Sequence, residues 1–328
     1  MPSYCVNVEQ GPIVVVLHSD SVPDAERMDR VASRATVRYT EAPGLADALR
    51  GAEVLFVYDF RTRALPGAWH AADRLRWVHM GSTGVDPAMF PELRAGDVVV
   101  TNTRGVFDTA IAEYVLGQII GFAKDLSGSL LLQQRHEWRH RESERVAGAT
   151  ALIVGTGSIG RGIARLLRAA GMTVRAVGRR ERTADPDFGE VTTDLHAELA
   201  RADYVVAIAP LTEQTRNMFD AAAFAAMKPH ARFVNVGRGE LVVTDDLVAA
   251  LRTGSIAAAA LDVVDPEPLP ADHPLWDLPN VRITPHNSGD FIGWRTEIVD
   301  AFTENFDNWI AGRPLDNVVD KRLGYVPG

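Results

Sequence analysis

Three short segments in the C-terminal half carry residue types that could hold an acid and move a proton. NVGRG sets Arg238 between two glycines at the end of an apolar run. A guanidinium fork grips a carboxylate bidentately, and flanking glycines keep the backbone from crowding a ligand beneath it. ALDVVDPEPLP offers Asp262, Asp265 and Glu267 in a proline-stiffened loop, and ITPHNSG puts His286 just past another apolar run. Histidine suits a proton donor because free imidazole titrates at about 6.5. A nearby carboxylate such as Glu267 would favour the imidazolium and raise that value. A cation for a carboxylate and a proton for a carbonyl oxygen are two of the three things that reduction of a 2-oxo acid needs. The third is a hydride donor.

A hydride carrier has its own signature upstream. ALIVGTGSIGRGIARLL reads as a strand, then Gly155-x-Gly157-x-x-Gly160, then a helix. The first glycine allows the tight turn, the second lets a pyrophosphate approach, and the third lets helix and strand pack closely. Ser158 and Ile159 open the helix, whose free N–H groups face the phosphates. The following strand, MTVRAVG, ends at Val177-Gly178, where an NAD site would usually set an acid against the ribose hydroxyls. Gly178 is expected to leave room there, and Arg179 and Arg180 to pair with a 2′-phosphate, so NADPH is preferred over NADH. Arg182 follows, and Asp185 and Asp187 lie too far past the strand end to serve as ribose ligands.

The elements that must position these residues alternate along the chain. Strand-like runs (PIVVVLHS, ATVRYTE, EVLFVYD, RWVHMG, DVVVTN, then ATALIVG, MTVRAVG, ADYVVAIAPL, ARFVNVG, AAALDVV, VRITPH) are separated by helix-patterned segments. That order predicts an α/β protein with mostly parallel sheets, and 328 residues predict two domains. One long helix is expected from about Asp108 through TAIAEYVLGQIIGFAKDLSGSLLLQQR, in the core or at an interface, and a helix from Trp294 should end in a loose tail. A net charge of −9 argues against a nucleic-acid binder that relies on general phosphate attraction. The single cysteine, Cys5, excludes an intramolecular disulfide and a cysteine zinc site, and no metal site is expected. No stretch has the roughly 18 apolar residues of a membrane span, and the N-terminus lacks the pattern of a signal peptide. A cytoplasmic protein is expected.

Taken together, STGVD (82–86), TNTRGVFDTAIAEYVLG (101–117), GTGSIG, PLTEQTRNM (210–218), NVGRGELV (235–242), AALDVVDPEPLP (259–270) and TPHNSG (284–289) resemble the D-isomer-specific 2-hydroxyacid dehydrogenase family over nearly the whole chain. The resemblance implies two Rossmann-like, doubly wound parallel-sheet domains. A discontinuous, flavodoxin-like substrate domain would span 1–107 and 290–328, and a dinucleotide-binding domain 108–289. It implies Arg238 as substrate anchor, His286 as acid/base and Glu267 as its carboxylate partner. The N–H groups around Thr83 and Gly84 would hold the substrate carboxylate. Thr109, Pro210, Thr215, Val236, Gly237, Asp262 and Gly289 would line the cofactor, with Asp262 near the nicotinamide amide. It also implies a homodimer through the cofactor domain.

The missing acid after the second strand resembles the glyoxylate/hydroxypyruvate reductase branch, and Glu267 stands where the family's formate dehydrogenases carry a glutamine. Phe291 and Trp294 in SGDFIGWR are candidates for shaping the substrate pocket, with Val57, Tyr58 and Met80. The alternative is a dinucleotide-sensing protein like the corepressors that share this fold. The absence of a long disordered partner-binding tail argues against it.

Overall fold

A computed structural model describes residues 11–327, so Cys5 lies outside the described residues. The chain divides into two compact units. The first takes the chain up to Phe107 and again from Phe291, and the second is Asp108–Asp290. Asp290 thus falls one residue past the boundary expected from the sequence.

In the first unit, β1 (Ile13–Leu17), α1 (Ala25–Ala32), β2 (Thr36–Thr40), α2 (Leu45–Leu49), β3 (Val54–Val57), α3 (Leu65–Ala68), β4 (Trp77–Met80), α4 (Pro91–Ala95) and β5 (Val99–Asn102) follow one another. The second unit begins with α5 (Asp108–Ala123) and α6 (Leu126–Gln134). It continues through β6 (Thr150–Val154), α7 (Ser158–Ala169), β7 (Thr173–Val177), β8 (Arg182–Asp185), β9 (Gly189–Thr192) and α8 (Leu195–Leu199). β10 (Tyr204–Ala207), α9 (Ala221–Ala226), β11 (Arg232–Asn235), α10 (Thr244–Thr253), β12 (Ala258–Leu261) and β13 (Val281–Ile283) complete it. The chain then returns to the first unit as α11 (Trp294–Ile310).

The first sheet is wholly parallel in the order β2-β1-β3-β4-β5, the flavodoxin-like arrangement. VLFV of β3 and WVHM of β4 are buried at every position, as strands covered on both faces must be. Phe302 of α11 stacks on Phe56 at 4.3 Å and on Trp77 at 5.4 Å, while Asp300 and Asp307 pair with Arg27, Arg30 and Arg34 on α1 and just beyond it. Burying each large aromatic contributes about 2 kcal/mol, enough to secure the returning helix to this sheet. The tail after α11 is not loose. Val319 is buried, Val318 bridges to Thr101, and the Lys321 ammonium donates to the carbonyls of Leu93, Gly96 and Val98.

The second sheet runs β13-β12-β11-β10-β6-β7-β9-β8, parallel except for β8 against β9. Strand order reverses between β6 and β10, and ligands of such sheets bind beyond the strand carboxyl ends at that switch point. The β8–β9 hairpin was not expected. The sequence there is largely polar and interrupted by Pro186 and Gly189, and charge pairing on Asp185 and Asp187 joins the burial of Phe188 and Val191 in holding it together.

The single long helix expected from Asp108 is in fact two, bent by 63°. Asp125 sits in the left-handed region at φ 45° and caps α6 by accepting from Gly128 N at 3.0 Å. α5 buries Ile111, Val115 and Ile119, whereas α6 buries nothing. Among the described residues no single helix is long and apolar enough to cross a membrane.

Candidate active site

The three fingerprint glycines serve different purposes. Gly155 has φ 123°, and a Cβ there would stand 2.5 Å from Ile208 O. A Cβ on Gly160 would lie 2.1 Å from Gly155 O, so only glycine lets α7 rest on β6. A Cβ on Gly157 would meet nothing within 4 Å. An open face at Gly157 before a twelve-residue helix is what a pyrophosphate requires, and this cradle fits a dinucleotide. Ile159 is buried beneath it, and Ser158 Oγ donates to Asp108 Oδ1 at 3.2 Å.

At the end of β7, Gly178 does not open an empty space as the sequence suggested. A Cβ there would lie 2.8 Å from Thr156 Oγ1 and 3.0 Å from Val191 Cγ1, so the glycine also serves packing. Arg179 and Arg180 follow it, both exposed. The acids beyond are occupied. Asp185 accepts from both Nη atoms of Arg161 at 2.8 and 2.7 Å, and Asp187 from Arg161 at 2.8 Å and Arg165 at 2.6 Å. The Arg161 hydrogen bonds hold Asp185 down at about 2, although burial opposes them.

Arg238 follows β11 in extended backbone, its Nη1 donating to Gly237 O at 2.8 Å. Buried Asn235 shapes the turn by donating to Arg238 O at 2.9 Å and accepting from Gly237 N at 3.1 Å. Gly239 matters for another reason than ligand access. A Cβ there would stand 2.0 Å from the carbonyl carbon and oxygen of Val264, so glycine lets the Arg238 turn close onto the loop that carries Glu267.

His286 Nδ1 lies 2.7 Å from Glu267 Oε1, and both side chains remain about two-fifths exposed. Burial pushes the Glu267 carboxyl up, but the hydrogen bond and charge of His286, with help from Arg238, pull it below the usual value. His286 itself has φ 53°, in the left-handed region. Its amide donates to Asp262 O at 2.8 Å. The Asp262 carboxylate, almost fully buried, accepts from Asn287 N at 3.0 Å, Ser288 N at 2.9 Å and the Thr284 hydroxyl at 2.6 Å. Asp262 therefore binds together the loop that presents the histidine.

The structure thus brings Arg238, Glu267, His286 and Asp262 onto neighbouring loops of the second unit. Val236, Gly237 and Gly289 belong to these same loops, and Thr109 is exposed in the first turn of α5. Thr215 Oγ1 donates to Pro210 O at 2.6 Å, closing the turn after β10. Thr83 and Gly84 lie in the first unit, after β4, where Asn102 donates to Thr83 O at 2.6 Å and Ser82 to Gly84 O at 2.7 Å. Trp294 packs against Phe60 and Phe107 in that unit, Phe291 is half-buried, and Val57, Tyr58 and Met80 are buried at the ends of β3 and β4.

Sequence reasoning missed Asn235, Thr284 and Tyr114. Asn235 could have been found, as a buried amide just ahead of a glycine-flanked arginine. Among the described residues no group of three or more His, Cys, Asp and Glu side chains could hold a metal ion.

Comparison with known proteins adds to this geometry. Residues 116–288 match the family described as D-isomer specific 2-hydroxyacid dehydrogenase, NAD binding domain. The chain is 32% identical over 243 residues to a glyoxylate/hydroxypyruvate reductase A of Serratia proteamaculans, covering 74% of this chain and 75% of that one. It is 33% identical over 257 residues to a glyoxylate/hydroxypyruvate reductase B of Citrobacter koseri, covering 76% and 79%. The crystal structure of an NADPH-dependent glyoxylate/hydroxypyruvate reductase from Sinorhizobium meliloti, in complex with NADP and sulfate, superposes with a TM-score of 0.81 at 28% identity. That match covers 96% of this chain and all of the other.

Proposed function

The chain belongs to the D-isomer specific 2-hydroxyacid dehydrogenase family, and on that premise we propose that it reduces glyoxylate- and hydroxypyruvate-like 2-oxo acids to D-2-hydroxy acids, with NADPH preferred over NADH. Membership makes it an NAD(P)-dependent oxidoreductase. The observation that carries the reading is the 2.7 Å contact between His286 Nδ1 and Glu267 Oε1. With Nδ1–H donated to the carboxylate, Nε2 is the nitrogen left to exchange a proton with substrate.

A reduced nicotinamide, when bound, supplies the hydride. Arg238 grips the substrate carboxylate and steadies the carbonyl oxygen. His286 gives that oxygen its Nε2 proton, and takes a proton from the hydroxyl in the reverse direction. Glu267 offsets the imidazolium charge and sets the ring's orientation. Asp262 presents a carboxylate oxygen to the nicotinamide amide.

The cofactor preference is supported by the absence of an acid at the end of β7, by Arg179 and Arg180 there, and by the engagement of Asp185 and Asp187 with Arg161 and Arg165. A homodimer through the second unit is proposed from the apolar surface of α6, where Leu126, Leu130 and Leu131 are about half exposed, and from fully exposed Trp138 just beyond.

Steady-state kinetics crossing NADPH and NADH with a panel of 2-oxo acids test the reading. Turnover of none of them by folded protein would sink it. Arg179→Ala/Arg180→Ala should raise KM for NADPH about tenfold while leaving NADH within about twofold. An unchanged KM would return both arginines to solvent.

A further inference from the structure

A chain of hydroxyl groups runs from α5 to the loop that carries His286. Thr284 Oγ1 donates to Asp262 Oδ1 at 2.6 Å, and Tyr114 Oη lies 2.7 Å from that same Oγ1. A threonine hydroxyl has one proton. With that proton given to Asp262, Tyr114 must donate its own to Thr284. The direction is therefore fixed, from Tyr114 to Thr284 to Asp262. Burial pushes the Tyr114 hydroxyl up to about 12, so the first donor keeps its proton at any working pH.

The same face of α5 is fastened to β13 one turn further along. Arg282 Nη1 donates to Gln118 O at 3.3 Å, and its guanidinium lies 4.0 Å over the Phe122 ring. A Cβ at Gly121 would stand 2.5 Å from that Nη1, so glycine makes room for the arginine. Positions 114, 118, 121 and 122 share one side of a helix, and that side is built to hold the strand leading into His286.

We propose that Tyr114 is a positioning residue: through Thr284 it fixes the Asp262 carboxylate, and with it both the loop of His286 and the acceptor offered to the nicotinamide amide. This rests on the function proposed above. Oδ1 of Asp262 is taken by Thr284 and Asn287, whereas Oδ2 accepts, among the described residues, from Ser288 N alone. Oδ2 is the oxygen with capacity left for a carboxamide. Without the Thr284 proton on Oδ1, the carboxylate can rotate and that assignment is lost.

The variants are Tyr114→Phe, Thr284→Val, Thr284→Ser and the double Tyr114→Phe/Thr284→Val. Binding is read from NADPH fluorescence and, by competition, for 2′-phospho-ADP-ribose, which lacks the nicotinamide. Tyr114→Phe and Thr284→Val should each weaken NADPH about fivefold and leave 2′-phospho-ADP-ribose unchanged. Thr284→Ser should bind as wild type, and the double should be no weaker than the worse single, because both interrupt one chain. In turnover, Tyr114→Phe should lower kcat about tenfold with KM for the 2-oxo acid within about twofold. Wild-type NADPH affinity in Tyr114→Phe would overturn the proposal. So would equal losses for both ligands, which mean a general packing defect, or additive losses in the double. If wild-type protein turns over no 2-oxo acid, the proposed function fails, yet the two binding constants still decide the role of Tyr114.

Discussion

Asp262 and Glu267 share one loop and have opposite surroundings. Asp262 is almost fully buried and accepts from two amides and a hydroxyl, while Glu267 is about two-fifths exposed with His286 as its side-chain partner. An acid surrounded by donors is a scaffold, since its removal leaves buried N–H groups unmatched. An acid hydrogen-bonded to a side chain that can gain or lose a proton can answer a change of charge on that side chain. The difference separates shape from chemistry within one loop, with the root rigid and the tip responsive.

The sharpest division is made by removing the group both acids serve. His286→Asn should lower kcat by about 10³-fold or more while the protein keeps its far-UV circular dichroism. A loss of less than about tenfold would remove His286 from the chemistry. Asp262→Asn comes next and should damage both fold and turnover, with about 3 kcal/mol lost in urea unfolding and kcat down about 10²-fold. If it affected kcat alone, the scaffold role would be wrong. Glu267→Gln keeps an acceptor and removes the charge, so kcat should fall roughly tenfold with stability almost unchanged.

The smallest effect is in pH. Glu267 titrates below its ordinary 4.5 in the folded protein, so its contribution to stability is present above about 4.5 and lost as pH falls through the folded value. Glu267 is well exposed, so the gap between wild type and Glu267→Gln should be a few tenths of a kcal/mol at neutral pH and close in acid. A gap that widened in acid would reverse the sign.

Much of this was legible because it rests on local rules. Continuous apolar runs marked the buried parallel strands, and GTGSIG between a strand and a helix marked the cradle. Arg238 and His286 stand out in the sequence because each follows an apolar run at a strand end, and Glu267 because it lies in a proline-stiffened loop beyond one. What escaped depends on partners far along the chain. Tyr114 meets Thr284 across 170 positions, and nothing in an apolar helix announces a polar contact. Gly239 was read as clearance for a ligand, whereas the backbone it admits, Val264, belongs to another loop. The break at Asp125 turns on one residue adopting φ 45°, which an otherwise continuous helical pattern conceals. The β8–β9 hairpin is held by arginines on α7, outside its own sequence.

One feature of the histidine has a cost for anyone who would make this protein more durable. At φ 53° a side chain with a Cβ holds its backbone at a disadvantage of about 1 kcal/mol, which glycine does not incur. Selection for thermal persistence alone would therefore favour replacing His286, the residue the proposed chemistry can least spare. A His286→Gly variant recovered in a heat screen should survive longer and lose about 10³-fold or more in kcat. Durability and catalysis compete there for a single residue.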